Sequence, residues 1–144
     1  MVKIPEFAET LKEVKTDLRG RYMTTCIEHL VKLAIFDSPQ NVNHWRTEVY
    51  ASYPYISKLK KDKKFPSYRL IFNTVWDHYG DILDNIIDTV TKKESKVKLK
   101  PNIDIDKDVM VPIKHYITWL AEQLSKQGKI DKQECLEKLK EIGL

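Results

Sequence analysis

Two lysine runs are the side chains of this sequence best placed to bind a ligand, and the first of them follows a group of tyrosines. Ammonium groups neutralise phosphates, and tyrosine rings give bases a stacking surface, so the combination predicts nucleic-acid contact. The candidate contact residues are Lys58, Lys60, Lys61, Lys63, Lys64, Lys92, Lys93, Lys96, Lys98, Lys100, Tyr53 and Tyr55. The alternative is that the lysines stabilise helix C-termini and the tyrosines border the core.

Residue types used in catalysis or metal binding occur without a recognisable pattern. His44 and Glu48 have the four-residue spacing of a metal pair, but no second His pair or Cys cluster accompanies them. A stripe of aspartates lies opposite the apolar face of one predicted helix, where a solvated face belongs. No glycine-rich phosphate loop or G-x-S-x-G motif is present. We therefore expect that the protein is not an enzyme and that it binds neither a metal nor a cofactor. The stripe residues are Asp77, Asp81, Asp84 and Asp88.

The two cysteines, Cys26 and Cys135, match no metal-binding or redox spacing. Cys26 lies within an apolar helical pattern, which predicts a buried, reduced thiol. Charged residues interrupt the N-terminus before any apolar run develops, so no secretory signal is expected. No stretch reaches the roughly 20 apolar residues that span a bilayer. These features together predict a cytoplasmic protein.

Length and composition predict one globular domain. A chain of 144 residues with 42% hydrophobic and 32% charged residues is neither disordered nor a membrane protein. Four glycines are too few for the many tight turns of an all-β fold. The formal net charge of +4 is too small to identify a partner.

Apolar periodicity predicts four helices before residue 92. The second covers residues 21–36, and its apolar arc spans half the circumference or more, which is typical of a central helix. The third runs from Asn41 toward Lys64, with a kink or break expected near Tyr53 because Pro54 removes a backbone donor. The first and fourth helices are predicted over Phe7–Leu18 and Ser67–Thr91.

Residues 92–111 change character, since two short stretches alternate with period two. Pairing Leu99 with Ile103 would form a short hairpin with Asn102 in the left-handed conformation. Pro101 does not suit the middle of that loop, so an extended basic and acidic linker is the alternative.

Residues 112–144 read as a helical hairpin. Pro112 opens its first helix and Gly128 closes it, while Asp131 and Glu134 form a capping box for the second. Some 33 residues bury too little surface to fold alone, so we expect the hairpin to dock on the rest of the chain or on a partner.

Several short motifs lie between residues 29 and 79, namely His29-Leu30-Val31-Lys32, Trp45-Arg46, Ile56, Leu59, Pro66-Ser67 and Tyr79. Their order resembles a helical family known from cyanobacteria, the domain of unknown function number 29. The resemblance covers about residues 8–90 and implies an all-helical fold, and it adds no mechanism because no activity is established for that family. Pro54 with its lysine run, and the segment after Lys92, depart from the family pattern.

The sequence thus predicts an all-α, irregular bundle of five to six helices. We expect a helical core at 1–91, a linker or hairpin at 92–111, and a helical hairpin at 112–144. The expected function is that of a non-enzymatic binding module that contacts another protein or a second copy of itself. The alternative is a nucleic-acid-binding or regulatory protein that uses the lysine runs at 58–64 and 92–100.

Overall fold

A computed structural model describes residues 18–61, 79–126 and 130–144. Within these ranges the chain forms five α-helices and a short π-helix but no strand, which confirms the predicted all-α bundle. The predicted first helix, the start of the predicted fourth helix and Gly128 lie outside the described residues. The elements are α1 (Leu18–Ile35), α2 (Pro39–Lys61), α3 (Tyr79–Lys93), the π-helix (Ile105–Met110), α4 (Val111–Ser125) and α5 (Lys132–Ile142).

Helix α1 is the central element of the bundle. It packs most extensively against α2 and also contacts α3, α4 and the π-helix. Apolar side chains are buried around most of its circumference, as the width of its apolar arc predicted. Each large one contributes roughly 1.5–3 kcal/mol relative to exposure. The buried residues of α1 and the position after it are Cys26, Ile27, Leu30, Val31, Leu33, Ala34, Ile35 and Phe36.

Helix α2 begins at Pro39, two residues before the predicted start. Proline suits the first helical position, and the Ser38 hydroxyl accepts a 2.7 Å hydrogen bond from the Asn41 side chain. The helix then continues through Pro54 to Lys61. Of the kink or break predicted near Tyr53, the break is therefore wrong. Tyr53 packs against the core on the inner side of this turn, whereas Pro54 is exposed.

The segment after α3 pairs with the end of α1 rather than with itself. Leu99 forms an antiparallel bridge with Phe36, so the hairpin pairing of Leu99 with Ile103 is wrong. The end of α1 exposes carbonyls that need donors. Lys100 supplies two donors: its backbone N–H donates a hydrogen bond to Ile35 O at 2.8 Å, and its ammonium donates one to Leu33 O at 3.1 Å.

A tight turn follows this bridge, and the π-helix begins soon after it. Asn102 has φ +54°, the left-handed conformation predicted for it. The Asp104 carboxylate then accepts hydrogen bonds from the backbone N–H groups of Asp106 and Lys107, and so caps the π-helix.

Helices α4 and α5 pack on α1 and α2, respectively, and on each other. Asp131 caps α5 by accepting a 2.8 Å hydrogen bond from Glu134 N, as predicted. Gly143, at φ +97°, ends α5, and the N–H of buried Leu144 returns to Leu139 O at 2.7 Å. Among the described helices, none combines the length and apolarity needed to cross a membrane.

Candidate functional site

Three side chains with titratable groups, Tyr116, Cys135 and Cys26, meet inside the core. The Tyr116 hydroxyl lies 3.3 Å from Cys135 Sγ, and Cys26 is buried nearby. Burial raises the pKa of both thiols, and burial with the neighbouring thiols raises the pKa of Tyr116 well above its ordinary value. Protonated, enclosed thiols are poor nucleophiles, so this cluster belongs to the core. The prediction of a buried, reduced Cys26 is confirmed.

Two lysines of the second run form ion pairs within the bundle. The Lys92 ammonium lies 3.1 Å from a carboxylate oxygen of Asp88, one turn earlier on α3. Lys93 lies 3.6 Å from a carboxylate oxygen of Glu28 on α1. Exposed pairs of this kind add little stability, but they reduce the positive charge that a phosphate would meet.

The other three lysines of that run differ in exposure. Lys100 is partly buried because its ammonium caps the end of α1. Lys96 and Lys98 are exposed, and among the described residues neither has an ion-pair partner. Two cations in this run therefore remain available to an external ligand.

The first lysine run lies partly in α2 and partly outside the described residues. The backbone of Lys58, Lys60 and Lys61 lies in the last turns of α2, while Lys63 and Lys64 fall outside the described residues. The side chain of Tyr55 also lies outside the described part. Tyr53 is partly buried against the core, so part of its ring is already covered.

The histidines and carboxylates are not assembled into a site within the described part of the chain. His29 Nδ1 lies 2.7 Å from Thr25 O, and burial lowers its pKa, which favours the neutral ring. His44 and Asp88 are exposed. No group of three or more His, Cys, Asp or Glu side chains among the described residues is close enough to hold a metal ion.

An open groove of about 910 Å³ lies between the π-helix, α4 and α5. Its size falls within the roughly 300–1,000 Å³ of typical ligand pockets. Its apolar side chains are flanked by charged ones, and Lys138 and Glu141 pair across one turn of α5 at 3.5 Å. The lining residues are Lys107, Val111, Pro112, Lys114, His115, Thr118, Trp119, Glu122, Lys138, Glu141 and Ile142.

One edge of the groove is a ridge that recurs every four residues: Lys107, Val111, His115 and Trp119. The three members on α4 lie about 6 Å apart along the helix axis, at about 1.5 Å per residue, and Lys107 precedes them in the π-helix. The Val111 side chain is 48% exposed. The Trp119 ring is partly buried and contacts Tyr116, with 5.7 Å between ring centroids. The ridge therefore alternates groups that can carry positive charge with apolar surface.

The groove was not predicted from the sequence, although α4 carries one signal of it. The buried stripe of α4 contains Ile113, Tyr116 and Leu120, as predicted. At 100° per residue, Trp119 lies about 120° from the middle of that stripe. A tryptophan so far from the buried face indicates a second apolar surface. The contribution of α5 depends on tertiary packing and has no local signal.

Comparisons with known proteins give no matching family model, no similar curated protein and no similar solved structure. The resemblance over residues 8–90 stays a prediction.

Proposed function

We propose that this chain is a non-enzymatic binding module that holds a segment of another protein in the groove between the π-helix, α4 and α5. The observation that carries the proposal is the position of Trp119 and Val111. Both present apolar surface in the same groove: Trp119 is partly buried, and Val111 is 48% exposed. Aromatic side chains in such positions often supply much of the binding energy at protein interfaces.

The groove is supported by a packed scaffold, which favours binding without a large entropic cost. The opposite face of α4 is anchored in the core by Ile113, Tyr116, Ile117 and Leu120. The contact with Tyr116 restricts the Trp119 ring. A partner would therefore meet a surface whose shape is largely set in advance.

Protein binding accounts for the structure better than phosphate binding by the second lysine run. Three of the five lysines there contact groups of the protein itself, namely Lys92, Lys93 and Lys100. A cytoplasmic location is part of the proposal, and it is supported by two buried, unpaired cysteines, which suit a reducing compartment.

The proposal is tested by purification from the native host with a matched pair of variants. Val111→Gln removes apolar surface from the groove, whereas Leu99→Gln changes a side chain of similar exposure (46% against 48%) outside it. A partner that uses the groove should be recovered with the unmodified chain and with Leu99→Gln, and largely lost with Val111→Gln.

Direct binding of the purified partner completes the test. We expect Val111→Gln to raise the Kd about tenfold, or ~1.4 kcal/mol, since an apolar contact is lost on binding. Leu99→Gln should leave the Kd within about twofold. Equal Kd values for the two variants would place the interface elsewhere and overturn the proposal.

A further inference from the structure

From the charges along the groove we infer that its occupant is an acidic peptide segment, in which a large apolar residue is accompanied by an aspartate or glutamate. This inference rests on the proposed function and names the chemistry of the partner. It depends on which charged groups of the groove are already neutralised and on how they are spaced relative to the apolar surface.

Lys107 and His115 are the groups that favour an anionic ligand. Both are exposed, both line the groove, and among the described residues neither has an ion-pair partner. Lys138, by contrast, is neutralised by Glu141 at 3.5 Å. The charge available on the ridge is therefore positive, and a carboxylate beside Lys107 would complement it.

The spacing of the ridge defines the peptide further. His115 lies four residues after Val111 on α4, about 6 Å along the helix axis. Lys107 lies four residues before Val111, in the π-helix. An apolar side chain resting on Val111 therefore has the Lys107 ammonium about one helical turn away on one side and the His115 ring about one turn away on the other. Two residues of extended peptide span about 6.6 Å, so carboxylate and apolar side chains two positions apart would fit the ridge.

The test is a selection of random peptides displayed on phage against the full chain, followed by synthesis of the enriched consensus. We expect that consensus to contain aspartate or glutamate close to leucine, phenylalanine or tryptophan. Its affinity for the full chain is then measured for two groove variants and two controls. Lys107→Gln is matched by Lys96→Gln, an exposed lysine outside the groove, and Val111→Gln by Leu99→Gln.

Lys107→Gln should weaken binding of the acidic peptide about fivefold and Val111→Gln about tenfold, while each control stays within about twofold. Thermal melting of each variant verifies that it is folded. We expect all four to fold, because the substituted side chains are exposed. Two results would contradict the acidic peptide but not the proposed function. The enriched peptides could require Val111 yet contain no acidic residue, or their affinity could be unchanged by Lys107→Gln. A selection with no peptide dependent on Val111 would overturn both.

Discussion

Tyr116 and the two cysteines show how single residues shape the core of this protein. The Tyr116 hydroxyl and Cys135 Sγ are 3.3 Å apart, a distance suited to a weak hydrogen bond with sulfur. Burial raises the pKa of both Cys26 and Cys135, so the folded protein retains protons that the unfolded chain releases. Stability should therefore depend on pH in the alkaline range.

The free energy of unfolding should fall as the pH rises above about 8.5, the ordinary pKa of an unfolded cysteine. Below that pH the thiols are protonated in both states, and their contribution is fully present. Above it, the buried Cys26 thiol costs about 1.4 kcal/mol per pH unit, and Cys135 adds to the fall in the same direction. Urea unfolding of reduced protein between about pH 7 and 10 measures the slope, and Cys26→Ala should make it shallower by about that amount. Parallel curves for the two proteins would contradict the burial of Cys26.

At the scale of elements, sequence signals were most informative where a local interaction decides the structure. The width of the apolar arc identified α1 as central, and Asp131 with Glu134 marked the start of α5. The left-handed Asn102 was also predicted, although the hairpin around it was wrong. Leu99 pairs with Phe36 because the carbonyl groups at the end of α1 need hydrogen-bond donors. The segment that supplies them is distant in sequence, so the local residue pattern does not reveal the pairing.

The groove could not be predicted for the same reason. The position of Trp119 outside the buried stripe of α4 is visible in the sequence, but Lys138 and Ile142, which line the same groove, come from α5. Their proximity depends on how the C-terminal hairpin packs. The continuation of α2 through Pro54 is also a tertiary effect, because Tyr50 and Tyr53 pack on the core around that turn.

The cap of α5 gives a prediction at this scale. Asp131→Ala should lower the free energy of unfolding by about 1 kcal/mol, because the Glu134 N–H at the helix start loses its acceptor. Asp131→Asn should cost much less, since asparagine caps nearly as well. Urea unfolding compares the two variants. An alanine variant as stable as the asparagine one would show that the cap contributes little.

At the scale of the whole molecule, positive and negative charges nearly balance, and several of them pair within the described part of the chain. The net charge is only +4. Lys32 on α1 pairs at 2.9 Å with Glu94, directly after α3, and Lys93 at the end of α3 pairs at 3.6 Å with Glu28 on α1. A protein of this kind lacks a large excess of cations to attract nucleic acid from a distance.

We therefore expect no submicromolar binding of duplex DNA at about 150 mM salt. Fluorescence anisotropy with labelled duplex measures this, because about five phosphate contacts would weaken binding roughly 10²–10³-fold between 50 and 200 mM salt. Submicromolar affinity at about 150 mM, lost when all five lysines of the first run become glutamine, would favour the nucleic-acid alternative. Those lysines are Lys58, Lys60, Lys61, Lys63 and Lys64.

The most direct measurement is chemical-shift mapping of the ¹⁵N-labelled full chain during titration with the partner recovered from the native host. We expect the largest changes in the backbone amides of residues 107–122 and 138–142 and in the indole N–H of Trp119, since these positions line the groove. Changes centred instead on residues 92–100, with the Trp119 indole resonance unmoved, would contradict binding in the groove.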